Sequence, residues 1–180
     1  MNSQSFSLQP FSSASSLPDL AITGNLTRRG AIFDIRYMLR GCLEEIVVPP
    51  PADPPPARRH RLWEETCLEF FLAPQNSSRY WEFNLSPAGH WNVYRFQAYR
   101  QGMAEGEAFS SLPFRVQRRW DSLVLHLEFD LGRIFPAKRR LEAAIAAVIK
   151  ARDGQVTYWA LVHPGPQPDF HRRDAFVIEL

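Results

Sequence analysis

The stretch YWEFNLSPAGHWNVYRF, residues 80–96, decides the fold. Tyr80, Trp81, Phe83, Trp91, Tyr94 and Phe96 are interleaved with Glu82, Asn84, His90, Asn92 and Arg95, and the SPAGH between the two halves holds the Pro and Gly of a turn. Aromatic residues fit the pleated surface of a sheet, so two ring-rich segments about a turn read as paired antiparallel strands. Successive side chains of a strand point to opposite faces. Even-numbered residues from Tyr80 to Phe96 are therefore expected to line a hollow while their odd-numbered neighbours fill the interior.

Working outward, TCLEFFL (66–72) precedes this pair across APQNSSR, whose Pro, Asn and Ser residues mark another turn, which gives a three-stranded meander. AIFDIRYMLR (31–40) alternates Phe33, Ile35, Tyr37 and Leu39 against Asp34, Arg36, Met38 and Arg40. LVLHLEFDL (123–131) repeats that period of two, the mark of a half-buried strand. Further strands are expected at 6–8, 20–22, 44–48, 114–117, 157–163 and 175–179. RRLEAAIAAVIKARDG has helical propensity, yet Asp153-Gly154 reads as a hairpin turn, and a hairpin partner must be a strand. Residues 141–150 are accordingly predicted as a strand. PPPADPPPARRH (49–60) lacks the donors for either regular structure and reads as an extended loop. The fold class expected is all-β, an antiparallel two-sheet β-sandwich or jelly roll of about ten or more strands, in one domain over 1–180.

With 180 residues, 45% hydrophobic and 22% charged, the chain has the composition of a globular protein. The net charge is +2 and the arginines are dispersed with no basic stripe, which argues against nucleic acid as a partner. Cys42 and Cys67 are too few for a disulfide framework and read as free thiols of a reducing compartment. The first residues lack the cationic and apolar regions of a secretory leader, and no apolar run is long enough to cross a bilayer, so a cytoplasmic location is expected and no membrane partner.

Motifs for chemistry are sparse. No HExxH pair, GxSxG elbow or GxGxxG loop occurs, and no metal site is expected; the nearest approach is a two-His, one-carboxylate set drawn from His163, His171, Asp169 and Asp174. Glu69 and Glu82 share one face of the hairpin, opposite Leu68, Phe70, Leu72, Trp81, Phe83 and Leu85. Polar groups on such a face suit a polyhydroxyl ligand whose C–H surface is covered by rings. The candidate ligand-binding residues are Glu69, Glu82 and Asn84 as hydrogen-bonding groups, Trp91 and Tyr94 as stacking rings, and His163, Asp169 and His171 at the rim. Trp81, Phe83 and Phe96 are assigned to the core. Two plainer readings stand beside this one: the polar face is a solvated sheet face, and the Asp169 to Asp174 cluster is an ion-pair network pinning the last strand.

LWEETCLEFFL, YWEFNLSPAGHWNVYRF, the QGM of Gln101 to Met103, and DGQVTYWALVHPGPQPDFHRRDAF together resemble the signature segments of the bacterial DOMON-like family, which is similar to the family-nine carbohydrate-binding modules. The resemblance implies a β-sandwich with a sugar-binding or, in other branches, haem-binding sheet, and no established catalytic activity. It points to a stand-alone module for a small-molecule or glycan ligand, with no cofactor. Haem, for which Met103 and His163 form the nominal ligand pair, is the alternative, and a glycoside-processing enzyme using Glu69 and Glu82 as acid and base is a third.

Overall fold

The computed structural model describes residues 2–11, 19–52, 55–136 and 138–180; residues 1, 12–18 and 137, and Asp53-Pro54 of the proline stretch, lie outside them. Thirteen strands form two antiparallel sheets, with four short 3-10 turns and no α-helix among the described residues. No helix among them is long and apolar enough to cross a membrane.

The smaller sheet runs β1 (Asn2–Ser7), β3 (Leu20–Arg29), β4 (Ile32–Gly41), β10 (Ser122–Asp130), β9 (Arg115–Arg118). The larger runs β2 (Gln9–Pro10), β12 (Val156–Ala160), β11 (Leu141–Lys150), β5 (Cys67–Pro74), β6 (Tyr80–Leu85), β7 (Trp91–Phe96), β8 (Ala104–Glu105), with β13 (Ile178–Glu179) pairing β11 as well. The sandwich expected from the alternation is what forms.

Its interior is filled by the apolar parity of both sheets. Phe33, Ile35, Tyr37 and Leu39 of β4 and Leu125 and Leu127 of β10 meet Leu68, Phe70, Phe83 and Ile145 from across the gap. Phe70 stacks on Phe83 at 4.4 Å and on Phe33 at 5.2 Å, tying the sheets through their rings. Each such side chain, fully withdrawn from water, stabilises the fold by about 1.5–3 kcal/mol. Tyr37 adds a polar tie: its buried hydroxyl donates to the Glu69 carbonyl at 2.7 Å, across the whole sandwich. At the edge, Phe6 lies over Gly24, where an added Cβ would fall 2.3 Å from the Phe6 ring and 2.1 Å from the Arg36 carbonyl oxygen. Only glycine admits that ring.

β11 is a strand over 141–150 as predicted, despite its alanines, and turns into β12 through Gly154 at φ +90°. Ala144 and Ala146 lie on its face away from the main core, in a second buried cluster with Phe71, Tyr80 and Phe176. Elsewhere the expectations shorten. Residues 44–48 are not a strand: Leu43–Glu45 is a 3-10 turn and only Ile46 bridges, to Ala151. β12 stops at Ala160 before the prolines, and 175–179 reduces to Ile178–Glu179 because Arg173–Ala175 winds into a turn. The proline stretch is irregular but not idle, since Arg58 bridges Trp91 and carries its guanidinium 4.5 Å over the indole.

Candidate functional site

On the face of the larger sheet turned away from the core, a cavity of about 430 Å³ is lined by Trp63, Glu69, Glu82, Phe96, Arg100, Met103, Val148, Tyr158, Pro168, Phe170 and His171. Its floor is built by β11, β5, β6 and β7. In register, Glu69 sits opposite Asn84 and Glu82 opposite Phe71, so the two carboxyls are diagonal neighbours on one face. The walls come from outside the meander: Trp63 from the 3-10 turn Leu62–Glu64, Arg100 and Met103 from the tight loop after β7, Tyr158 from β12, and Pro168 to His171 from the loop after it. Arg100 and Gly102 hold positive φ, +53° and +62°, which folds that loop back over the sheet.

The floor is dry for charged groups. Glu69 and Glu82 are 3% and 4% exposed. Asn84 donates from Nδ2 to Glu82 Oε1 at 2.7 Å, whereas Glu69 Oε1 has no hydrogen-bond partner among the described residues. Burial, reinforced by the Glu82 charge, pushes the Glu69 carboxyl well above the usual carboxylate range. Burial also pushes Glu82 up to about 7, against the Asn84 hydrogen bond and the Arg100 charge. His171 goes the other way, down to about 4, because burial and then the Arg100 charge disfavour its cation, with Asp169 opposing.

The Tyr80 hydroxyl accepts from the Arg100 backbone N–H at 3.2 Å and lies 2.8 Å from His171 Nδ1. In the tautomer in which Nδ1 accepts the hydroxyl hydrogen, the imidazole N–H is at Nε2, 3.9 Å from Glu82 Oε2 and beyond hydrogen-bond distance. Tyr80 is itself clamped by stacking on Phe96 at 4.6 Å. Arg100 is anchored to Asp169 Oδ1 at 2.9 Å, and Asp169 also accepts from the Tyr99 hydroxyl and the His171 N–H.

Of the residues singled out from sequence, Glu69, Glu82 and His171 line the cavity. Asn84 and Asp169 stand behind it as partners of Glu82 and Arg100. Tyr94 lies on the same face but under Trp63, ring centroids 5.8 Å apart, with its hydroxyl taken by Asn92 and His60. Two assignments are corrected. Trp91 packs in the interior between the sheets, as its odd number requires, and cannot stack on a ligand in this cavity. Phe96, assigned to the core, has the parity of Glu82 and lines the cavity. His163 donates from Nε2 to the Gln9 carbonyl at 2.9 Å, edge-on to Phe11, and is not part of the lining.

Of the nominal Met103 and His163 pair, Met103 lines the cavity and His163 does not. With Asp174 paired to Arg172, the imagined two-His, one-carboxylate set is likewise divided. Among the described residues no group of three His, Cys, Asp or Glu is placed to hold a metal ion. Missed by the sequence reading were Trp63, Arg100, Val148, Tyr158, Pro168 and Phe170, which reach the cavity through loops and strand order that no local pattern encodes.

No protein-family model matches the chain, and no curated protein does. Among solved structures it is similar to the crystal structure of a proposed carbohydrate-binding protein from Bacteroides uniformis, with a TM-score of 0.67 and 15% identity over 97% of this chain and 84% of that one. At that identity the likeness is one of fold.

Proposed function

We propose that this chain is a ligand-binding module whose cavity takes a carbohydrate or sugar-like ligand, in the manner that the DOMON-like resemblance implies. One observation carries the reading: buried carboxyls on the floor and the rings of Trp63, Phe96, Tyr158 and Phe170 converge on one cavity of about 430 Å³. A pyranose has hydroxyls around its rim and C–H groups on its faces, so it needs both kinds of surface at once. Glu82 Oε2, Glu69 and the Nε2–H of His171 supply hydrogen bonds to the rim, and the rings supply a cover for the faces. The volume lies within the range of small-molecule pockets. The fold shared with a proposed carbohydrate-binding protein adds support from outside the site. A solvated sheet face fits less well, because the two glutamates are withdrawn from water.

Titration calorimetry against a panel of monosaccharides and short glycans tests this. At least one sugar is expected to bind, and Trp63→Ala to weaken it by about tenfold, the effect of losing a stacking ring in a desolvated site. Binding unchanged by Trp63→Ala would place the ligand elsewhere on the molecule, and no binding across the panel would end the proposal. Release of reducing sugar during the titration would mark hydrolysis by the glutamate pair, and a Soret shift on adding haemin would mark a planar cofactor instead.

A further inference from the structure

Resting on the reading of the cavity as a sugar site, we infer that its ligand carries a protonated amine, the class of amino sugars and other compact cationic polyols. Two buried carboxyls lie side by side on the floor of the cavity, and neither makes an ion pair with a Lys or Arg among the described residues. Glu82 has one donor, the Asn84 amide, and a neutral imidazole at 3.9 Å; Glu69 Oε1 has none. A buried acceptor left without a donor is costly to the fold, and a buried carboxylate without a counter-charge costs more.

A neutral sugar would complete it only in part. Hydroxyls donate to carboxyls but bring no charge, so both acids would remain protonated or unpaired. An ammonium group brings three donors and a unit charge, and bonds of that kind are about twice as strong as neutral ones. Its remaining surroundings are also right: the rings of Trp63, Phe96, Tyr158 and Phe170 line the same cavity, and aromatic faces attract cations.

Two basic groups of the protein stand near the floor. The Arg100 charge is felt by Glu82, yet its guanidinium is bonded to Asp169 at 2.9 Å and forms no ion pair with either floor glutamate. His171 shares a hydrogen bond with the Tyr80 hydroxyl at Nδ1, and its burial disfavours the cation, so it brings no charge to the floor. Cys67 is a buried neutral thiol, 3.7 Å from the Asn84 amide oxygen, and is a weak hydrogen-bond partner of the Glu69 carboxyl that brings it no charge. The negative end of the cavity is thus left for the ligand. Because burial favours the protonated acids, an incoming amine displaces a proton as it binds.

The test is calorimetry of the intact chain at neutral pH with glucosamine, galactosamine and mannosamine, each against its neutral parent and its N-acetyl form. At least one amine is expected to bind about tenfold or more tightly than both its neutral partners. Its binding heat should depend on the ionisation enthalpy of the buffer, reporting release of up to about one proton, while neutral sugars show no such dependence. Glu69→Gln keeps the shape and removes the ionisable group; it should abolish both the preference for the amine and the buffer-dependent release of a proton. Neutral sugars bound as well as or better than amines would overturn this inference and leave the sugar site standing. Silence from amine and neutral sugar alike would overturn both. Should the Gln variant fail to fold, the comparison of amine with N-acetyl form in the wild type decides alone.

Discussion

Replacing Glu82 with Gln removes a charge while keeping the shape and the Asn84 hydrogen bond, and the structure dictates how stability should respond. In the folded chain the Glu82 carboxyl is raised from the ordinary 4.5 to about 7, chiefly by burial. A carboxyl raised in this way stabilises the native state only while protonated, so its contribution is present below about 4.5 and is lost as pH climbs to about 7. At about 1.4 kcal/mol per pH unit, the loss over that window is about 3 kcal/mol. His171 acts in the opposite sense. Lowered from 6.5 to about 4, it makes the native state resist protonation and adds stability as pH rises through that interval. In the wild type the two slopes offset each other in mildly acidic solution and hide one another. Subtracting wild type from variant cancels His171 and exposes Glu82. Urea unfolding should therefore show the Gln variant gaining about 3 kcal/mol on the wild type between about pH 4.5 and about pH 8, which corresponds to about 6–12 °C in melting temperature. Glu69 moves in the same direction, since its own carboxyl is raised in part by the Glu82 charge. A difference that does not change with pH, or a variant that falls behind as pH rises, would refute the account of the floor as dry and uncompensated.

Tyr37→Phe removes the hydroxyl that reaches the Glu69 carbonyl across the core, and is expected to cost about 1–2 kcal/mol in urea unfolding; an unchanged midpoint would show that the tie contributes nothing. Val148→Phe puts a ring into the cavity from the strand beside Glu69, so ligand affinity should fall by about tenfold while melting stays within a few degrees. Retained affinity would mean that the ligand never reaches that part of the floor.

The interior was legible because a period of two needs no tertiary information. Phe33, Ile35, Tyr37 and Leu39 announce their face through the charged residues between them, and β5, β6 and β7 could be ordered from the turns that join them. The same rule already held the correction to Trp91 and Phe96: odd and even decide their sides, and their ring character misled. β11 is harder, since Ala144 and Ala146 raise local helical propensity while both are buried on the sheet's second face. It was recovered through the Asp153-Gly154 turn. Residues 44–48 and 175–179 carry strand-forming side chains but have little sheet edge to pair with, and pairing is a property of the whole fold. Trp63, Tyr158 and Phe170 are separated from Glu69 by turns, loops and strand order, so nothing near them in the chain announces the company they keep.

The strands β5, β6 and β11 each present one set of side chains to the interior and the alternate set to the cavity. A substitution at 69 or 82 therefore alters the cavity side of these strands while the interior side chains keep their places, and Tyr37, bonded to the Glu69 carbonyl, links that position to the opposite sheet.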